Sequence, residues 1–236
     1  MINYASALRA HTFALREAVT DIGPAMPVTT CPGWTVHELT EHIALGHGMA
    51  LAGLRGDAEI RWPPSPWNDL LIWWNAQSEA LIEHIAADDP ERTCTTLPGA
   101  PQTVGFWQRR IAHETAMHHF DAVVAAHRVI DGLWDAEFAE DGIDEMLTVL
   151  VTSLRPPEQR TPVLLAVRDT MIRWSGDDIE LETRSDQQPD ATLDGSADAI
   201  YRALWGRPSD AVWTGDTNLF TQITVGPVSG AALPAR

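Results

Sequence analysis

Apolar residues recur at helical spacing through about the first 150 residues and switch to strict alternation beyond them. Residues 3–20 make a first helical run. Thr30-Cys31-Pro32-Gly33-Trp34 is a turn. Thr35 and Glu38 then spell a capping box, in which the hydroxyl and the carboxylate each satisfy a free backbone N–H. The helix it opens runs to about residue 54 and ends before a loop holding Pro63, Pro64 and Pro66. Ser65 and Pro66 are an N-cap and a first helical residue, and Trp67, Leu70, Trp74, Leu81 and Ile85 continue from them at helical spacing. A long helix over 103–128 follows, and a last one near 136–152 closes a bundle whose short joints favour antiparallel packing. Arg155-Pro156-Pro157 reads as a linker. After it Val163, Leu165 and Val167, then Ile179, Leu181 and Thr183, alternate with other residues at the strand period of two, around a turn at Ser175-Gly176-Asp177-Asp178. Ser196 to Trp205 is a short helix stopped by Gly206 and Pro208. The expected fold class is α+β, with a helical bundle over 1–152 and a small α+β domain over 160–236.

Composition narrows the chemistry. With 236 residues, 44% of them hydrophobic, the chain can bury real cores. A formal charge of −17 excludes nucleic acid and anionic membranes as partners, since both need a cationic surface. No apolar run is long enough to span a bilayer, the N-terminus has no signal-peptide pattern, and two cysteines are too few for a disulfide framework. A cytoplasmic protein is expected. All 16 basic residues are arginines. The absence of lysine removes Schiff-base, pyridoxal phosphate and P-loop chemistry.

The chemistry then falls to the histidines. On the long helix, with about 100° of turn per residue, Glu114, His118 and Asp121 share the face that carries Trp107, Ile111, Ala122 and Ala125. An uncompensated charge in that stripe costs several kcal/mol, so a partner is required. On the helix after Thr35, His47 shares a face with Val36, Leu39, Ile43, Leu51 and Leu54, while Glu38, Glu41 and His42 point away. Two imidazoles and one carboxylate form an open metal set, so His47, Glu114 and His118 are the expected ligands of a divalent ion, zinc by preference. The competing readings are an internal Glu114–His118 ion pair and a satisfied core histidine at His47. Asp121 is a fourth ligand or an acceptor behind a ligand imidazole. His37, His42, His113 and His119 read as surface or margin residues, and Cys31 as packing.

The motifs CPGWTVHELTEHIALGHGMA, WQRRIAHETAMHHFDA and LWGRP together resemble the maleylpyruvate isomerase family of mycothiol-dependent enzymes, over nearly the whole chain. The resemblance implies a DinB-like four-helix bundle followed by a small α+β domain. It also implies a metal held by a histidine of the first motif and the Glu-x-x-x-His of the second, matched here to His47, Glu114 and His118. The implied cosubstrate is mycothiol, the low-molecular-weight thiol of actinobacteria, and the implied partner a small electrophile. The implied reaction is thiol-assisted cis–trans isomerisation of a maleylpyruvate-like diacid, or S-transfer. Trp34 and Arg110 are the candidates for contacting the thiol cofactor, Arg110 being alternatively an ion-pair partner of Glu114. Arg207 is the candidate for holding a substrate carboxylate as a fork, with an exposed arginine after a helix as its alternative reading, and Asp121 completes the catalytic candidates. A metal hydrolase with Asp121 as base and a non-catalytic binding protein with a tryptophan-lined cleft are the competing functions.

Overall fold

The computed structural model describes residues 2–57, 59–150, 163–175, 178–183, 186–216 and 218–219. The chain divides into two compact units, Met1–Leu133 and Trp134–Arg236.

The first unit is a four-helix bundle: α1 (Tyr4–Ile22), α2 (Val36–Arg55), α3 (Trp67–Ala87) and α4 (Val104–Ala125). Local signals set the starts. Asn3 accepts from the Ser6 N–H ahead of α1, and Thr103 accepts from Phe106 N–H ahead of α4. At α2 the expected capping box forms, the Thr35 N–H donating to Glu38 Oε2 at 2.8 Å. Before it, Cys31-Pro32-Gly33-Trp34 folds as a β-turn closed by Trp34 N–H to the Cys31 carbonyl at 3.0 Å. Pro at its second position and Gly33 at φ +87° at its third are what a type II turn needs. Leu15, Val19, Val36, Leu39, Ile43, Leu70 and Trp74 meet in the core with Ala122 and Ala125 of α4. The helix α4 packs on α1, α2 and α3, and 17 of its 22 residues are buried, so it has no solvent face in the ordinary sense. The expectation that His113 and His119 lie at the surface or margin is corrected on this point: both are buried.

The second unit begins with α5 (Ala136–Glu145), capped by Asp135 and continued by a π-helical turn, Met146–Leu150. Its sheet has the order β3-β2-β1-β4-β5, with β1 Val163–Val167, β2 Thr170–Ser175, β3 Asp178–Thr183, β4 Ala191–Asp194 and β5 Val212–Gly215. Among the described strands only the β1–β4 pairing is parallel. Central β1 is buried along its whole length, as a strand covered on both faces must be. A further helix, α6 (Ala197–Leu204), connects β4 to β5 and packs on α5.

The α+β class with a bundle first is as expected. The helix at 136 belongs to the second unit rather than closing the bundle. Its apolar side is met by Tyr201 of α6, which also takes Trp134 and Phe138 edge-on at 5.2 and 6.4 Å. The linker expected at Arg155-Pro156-Pro157 lies outside the described residues.

The α5–α6 contact depends on Gly142, where an added Cβ would overlap the ring of fully buried Tyr201. Gly142→Ala is expected to destabilise the second unit by about 1–3 kcal/mol, the usual range for overpacking a core. Urea denaturation checks it. An unchanged midpoint would refute the close approach.

Candidate metal centre

Glu114 projects from the middle of α4 and is 14% exposed at its side chain. Its two oxygens have separate partners. Arg110, one turn earlier and buried, donates from Nη2 to Oε2 at 3.0 Å. On the other side His42 and His118 both donate from Nε2 to the single atom Oε1, at 3.0 and 3.2 Å. His118 Nδ1–H donates in turn to Asp121 Oδ2 at 2.9 Å, and the Cys31 thiol donates to the same oxygen at 3.3 Å. The Trp34 indole covers the imidazoles, 4.9 Å from the His42 ring and 6.1 Å from that of His118.

Electrostatics follow from this packing. Burial pushes the Glu114 carboxyl up, but the hydrogen bonds from His118 and His42 and the Arg110 charge outweigh it and hold the group well below the usual carboxylate range. Burial disfavours the charged His118, yet its bonds to Asp121, Cys31 and Glu114 raise it well above the ordinary histidine value. His42 is lowered, mainly by burial, despite its bond to Glu114.

The donor set fits a divalent ion. Zinc–nitrogen and zinc–oxygen bonds of about 2.0–2.2 Å put tetrahedral ligand atoms roughly 3.3 Å apart. The two histidine nitrogens already stand 3.0 and 3.2 Å from Glu114 Oε1, so their protons occupy the place of a cation. Among the described residues two groups of three metal-competent side chains come together, His42/Glu114/His118 and Cys31/His118/Asp121.

The structure thus brings Glu114 and His118 together as expected, with His42 and not His47 at their side. His47 is fully buried, and both its ring nitrogens are taken: Trp74 Nε1–H donates to Nδ1 at 3.2 Å, and Nε2–H donates to Thr115 Oγ1 at 2.9 Å. Thr115 passes its own proton to the Ile111 carbonyl at 2.7 Å. His47 therefore has the geometry of a satisfied core histidine, the alternative weighed for it above. His42 lies on the less buried side of α2, with Glu38, Glu41, Gly46 and Met49, and is still 12% exposed at its side chain; a face turned away from the apolar stripe meets α4 at its margin. Gly46, one turn after His42, carried the missing signal. A Cβ there would lie 3.7 Å from Ile111 of α4, which marks that face of α2 as the one against α4. Trp34 lies against the His42 and His118 rings, while Arg110 is engaged with Glu114. In the second unit Arg207 is buried rather than exposed, Nη1 donating to the Trp205 carbonyl at 2.6 Å.

A helical bundle with an interior histidine–carboxylate cluster, followed by a small mixed sheet, defines the class. The profile of the mycothiol maleylpyruvate isomerase N-terminal domain matches residues 5–123, and that of the corresponding C-terminal domain matches 137–222. The chain belongs to the mycothiol maleylpyruvate isomerase family. Two crystal structures share the fold. One is of the mycothiol-dependent maleylpyruvate isomerase, at 15% identity and a TM-score of 0.61, with 89% of this chain and 91% of that one covered. The other, of a histidine-to-alanine variant of that enzyme, has 14% identity and the same TM-score and coverage. No curated protein matches the chain.

Burial lowers His47 to about 3 from an ordinary 6.5. A depressed histidine contributes stability that is fully present above its unfolded value and is lost as pH falls toward the folded one. Between those values the loss is up to about 1.4 kcal/mol per pH unit. Urea unfolding between roughly pH 7 and pH 5 should show this slope, and His47→Gln should reduce it by about one proton. An identical slope in the variant would show that His47 is not held neutral in the core.

Proposed function

We propose that this protein is a mycothiol-dependent enzyme that isomerises a maleylpyruvate-like cis-enoyl diacid at a divalent cation, zinc by preference, held by His42, Glu114 and His118. The observation that carries the proposal is the convergence of two imidazole N–H groups on one carboxylate oxygen at near-ligand spacing. Family membership supplies the thiol and the substrate class. Three protein ligands leave a vacant position. A cation bound there lowers the pKa of a coordinating thiol enough to give thiolate at neutral pH.

The chain's own residues prepare the site. Arg110 fixes Glu114 through Oε2, so that Oε1 faces the histidines. Asp121 accepts the His118 Nδ1 proton, which fixes the tautomer and directs Nε2 inward. Asp121 is thus assigned as the acceptor behind His118 rather than as a fourth ligand. Trp34 forms an apolar wall over both imidazoles and keeps water from one side. On thiol addition the substrate's cis double bond becomes a single bond, turns, and is restored as trans when the thiol leaves. S-transfer would share the first step and retain the thiol in the product.

Metal analysis followed by calorimetric titration with mycothiol tests the reading. The protein should hold about one divalent ion per chain, and binding of metal and then of thiol should release protons, because the ligand nitrogens and the thiol must deprotonate. Metal affinity should therefore weaken as pH falls. His42→Ala and His118→Ala should each reduce it beyond the ~10–100-fold typical of losing an outer partner. His47→Ala should leave the ligands in place and cost about 2–4 kcal/mol of stability through a cavity and unpaired groups. Thiol consumption equal to product would favour S-transfer over isomerisation. A metal-loaded protein that gives no heat with saturating mycothiol would remove the thiol from the reading and favour hydrolysis or simple ligand binding.

A further inference from the structure

Cys31 lies in the core of the first unit, 1% exposed, among Val28, Val36 and Leu39. Such surroundings suit a plain aliphatic side chain and give no reason for sulfur. What a thiol adds is a donor, and it has a specific acceptor. Cys31 Sγ–H donates to Asp121 Oδ2 at 3.3 Å, the oxygen that takes the His118 Nδ1 proton at 2.9 Å. An sp² oxygen presents two lone-pair directions near its plane. With one taken by the thiol, the carboxylate plane is set, and the other direction is left for the imidazole. The turn supplies the rigidity this requires. Cys31 is its first residue, its N–H donates to the Val28 carbonyl at 2.9 Å, and its carbonyl accepts from Trp34. Pro32 and Gly33 fix the backbone between them, so the turn delivers Sγ behind the centre and the Trp34 indole in front of it.

We propose that Cys31 is a positioning residue of the metal centre: through Asp121 its thiol holds the His118 ring so that Nε2 faces Glu114 and His42. The proposal rests on the metal reading given above, and assigns to the CPGW turn a part in ligand geometry besides its part in packing. Cys31 itself stays outside the ligand set, since His118 meets Glu114 and His42 through Nε2 and the thiol side through Nδ1.

The test is Co(II) titration of the full-length protein and of Cys31→Ser, Cys31→Val and Cys31→Ala, with affinity read from the visible absorption of bound cobalt and folding from circular dichroism. Loss of an outer partner of a ligand costs about 10–100-fold in affinity, and Cys31 is one bond further out, so a loss of roughly three- to tenfold is expected for Val and Ala. Serine keeps a donor and should bind nearly as tightly as the parent. A packing role would give the opposite order, with Val near the parent and buried Ser the weakest, and that order would overturn the proposal. Intense sulfur-to-cobalt charge transfer in the parent, absent from Cys31→Ser, would make Cys31 a ligand and overturn it as well. If the folded parent and all three variants take up no cobalt, the metal reading itself fails and the positioning role falls with it. A parent that binds cobalt while the variants fall in the packing order refutes the positioning role alone.

Discussion

A carboxylate in the interior of a helical bundle must be compensated, and most of the first unit is arranged around how Glu114 is. Its charge sits on the one helix that the other three enclose, where an unpaired anion would cost several kcal/mol. Arg110 neutralises one oxygen from the preceding turn. The other is left to His42 and His118, which reach it from different helices. A proton can fill that shared position, and so can a divalent ion. Electrostatic need for a cation at Oε1 is therefore a folding constraint as well as a feature of the chemistry.

The same helix carries two more buried polar chains. His47 is tied to α4 through Thr115 and to α3 through Trp74, and His11 of α1 faces His119 with 3.1 Å between their Nδ1 atoms. Burial lowers His11 and His119 each to about 4, so these imidazoles are neutral and serve as hydrogen-bonding parts of the core. The two kinds of histidine differ in their hydrogen-bond partners: His118 and His42 are bonded to carboxylates, whereas His47 is bonded to Thr115 and Trp74, and His11 faces His119. Asp121 and Glu114 are what separate His118 and His42 from His47, His11 and His119.

How much of this was legible in the sequence depends on the kind of signal. Caps, turns and periodicity are local, and they placed α1 to α4, α6 and the strands over 163–183 closely. The short strands at 191–194 and 212–215 have too few residues for an alternation to register, and their pairing is decided by the neighbours β1 and β4. The unit boundary was misread because the amphipathic stripe of α5 says that it is covered on one side and does not say by what. Glu114 and His118 were legible because a charge in an apolar stripe demands explanation. His47 was preferred to His42 because the wheel ranks positions by their distance from the apolar stripe, and His42 reaches Glu114 from the less buried margin of α2. Cys31 could not be read from spacing, since its partner is 90 residues away in sequence.

The enclosure of α4 has a thermodynamic consequence. Ligand-binding segments are commonly drawn from the least stable parts of a protein, which open locally without disturbing the rest. Here Glu114, His118 and Asp121 belong to a helix that packs on the other three helices of its unit, so it cannot fray or open while they stay folded. The centre has no private unfolding reaction: its geometry and the stability of the bundle are one cooperative quantity. A cation bound at Glu114 would stabilise the whole unit by mass action. Conversely, a core substitution far from Glu114 would thin the population of molecules able to bind that cation without touching a ligand.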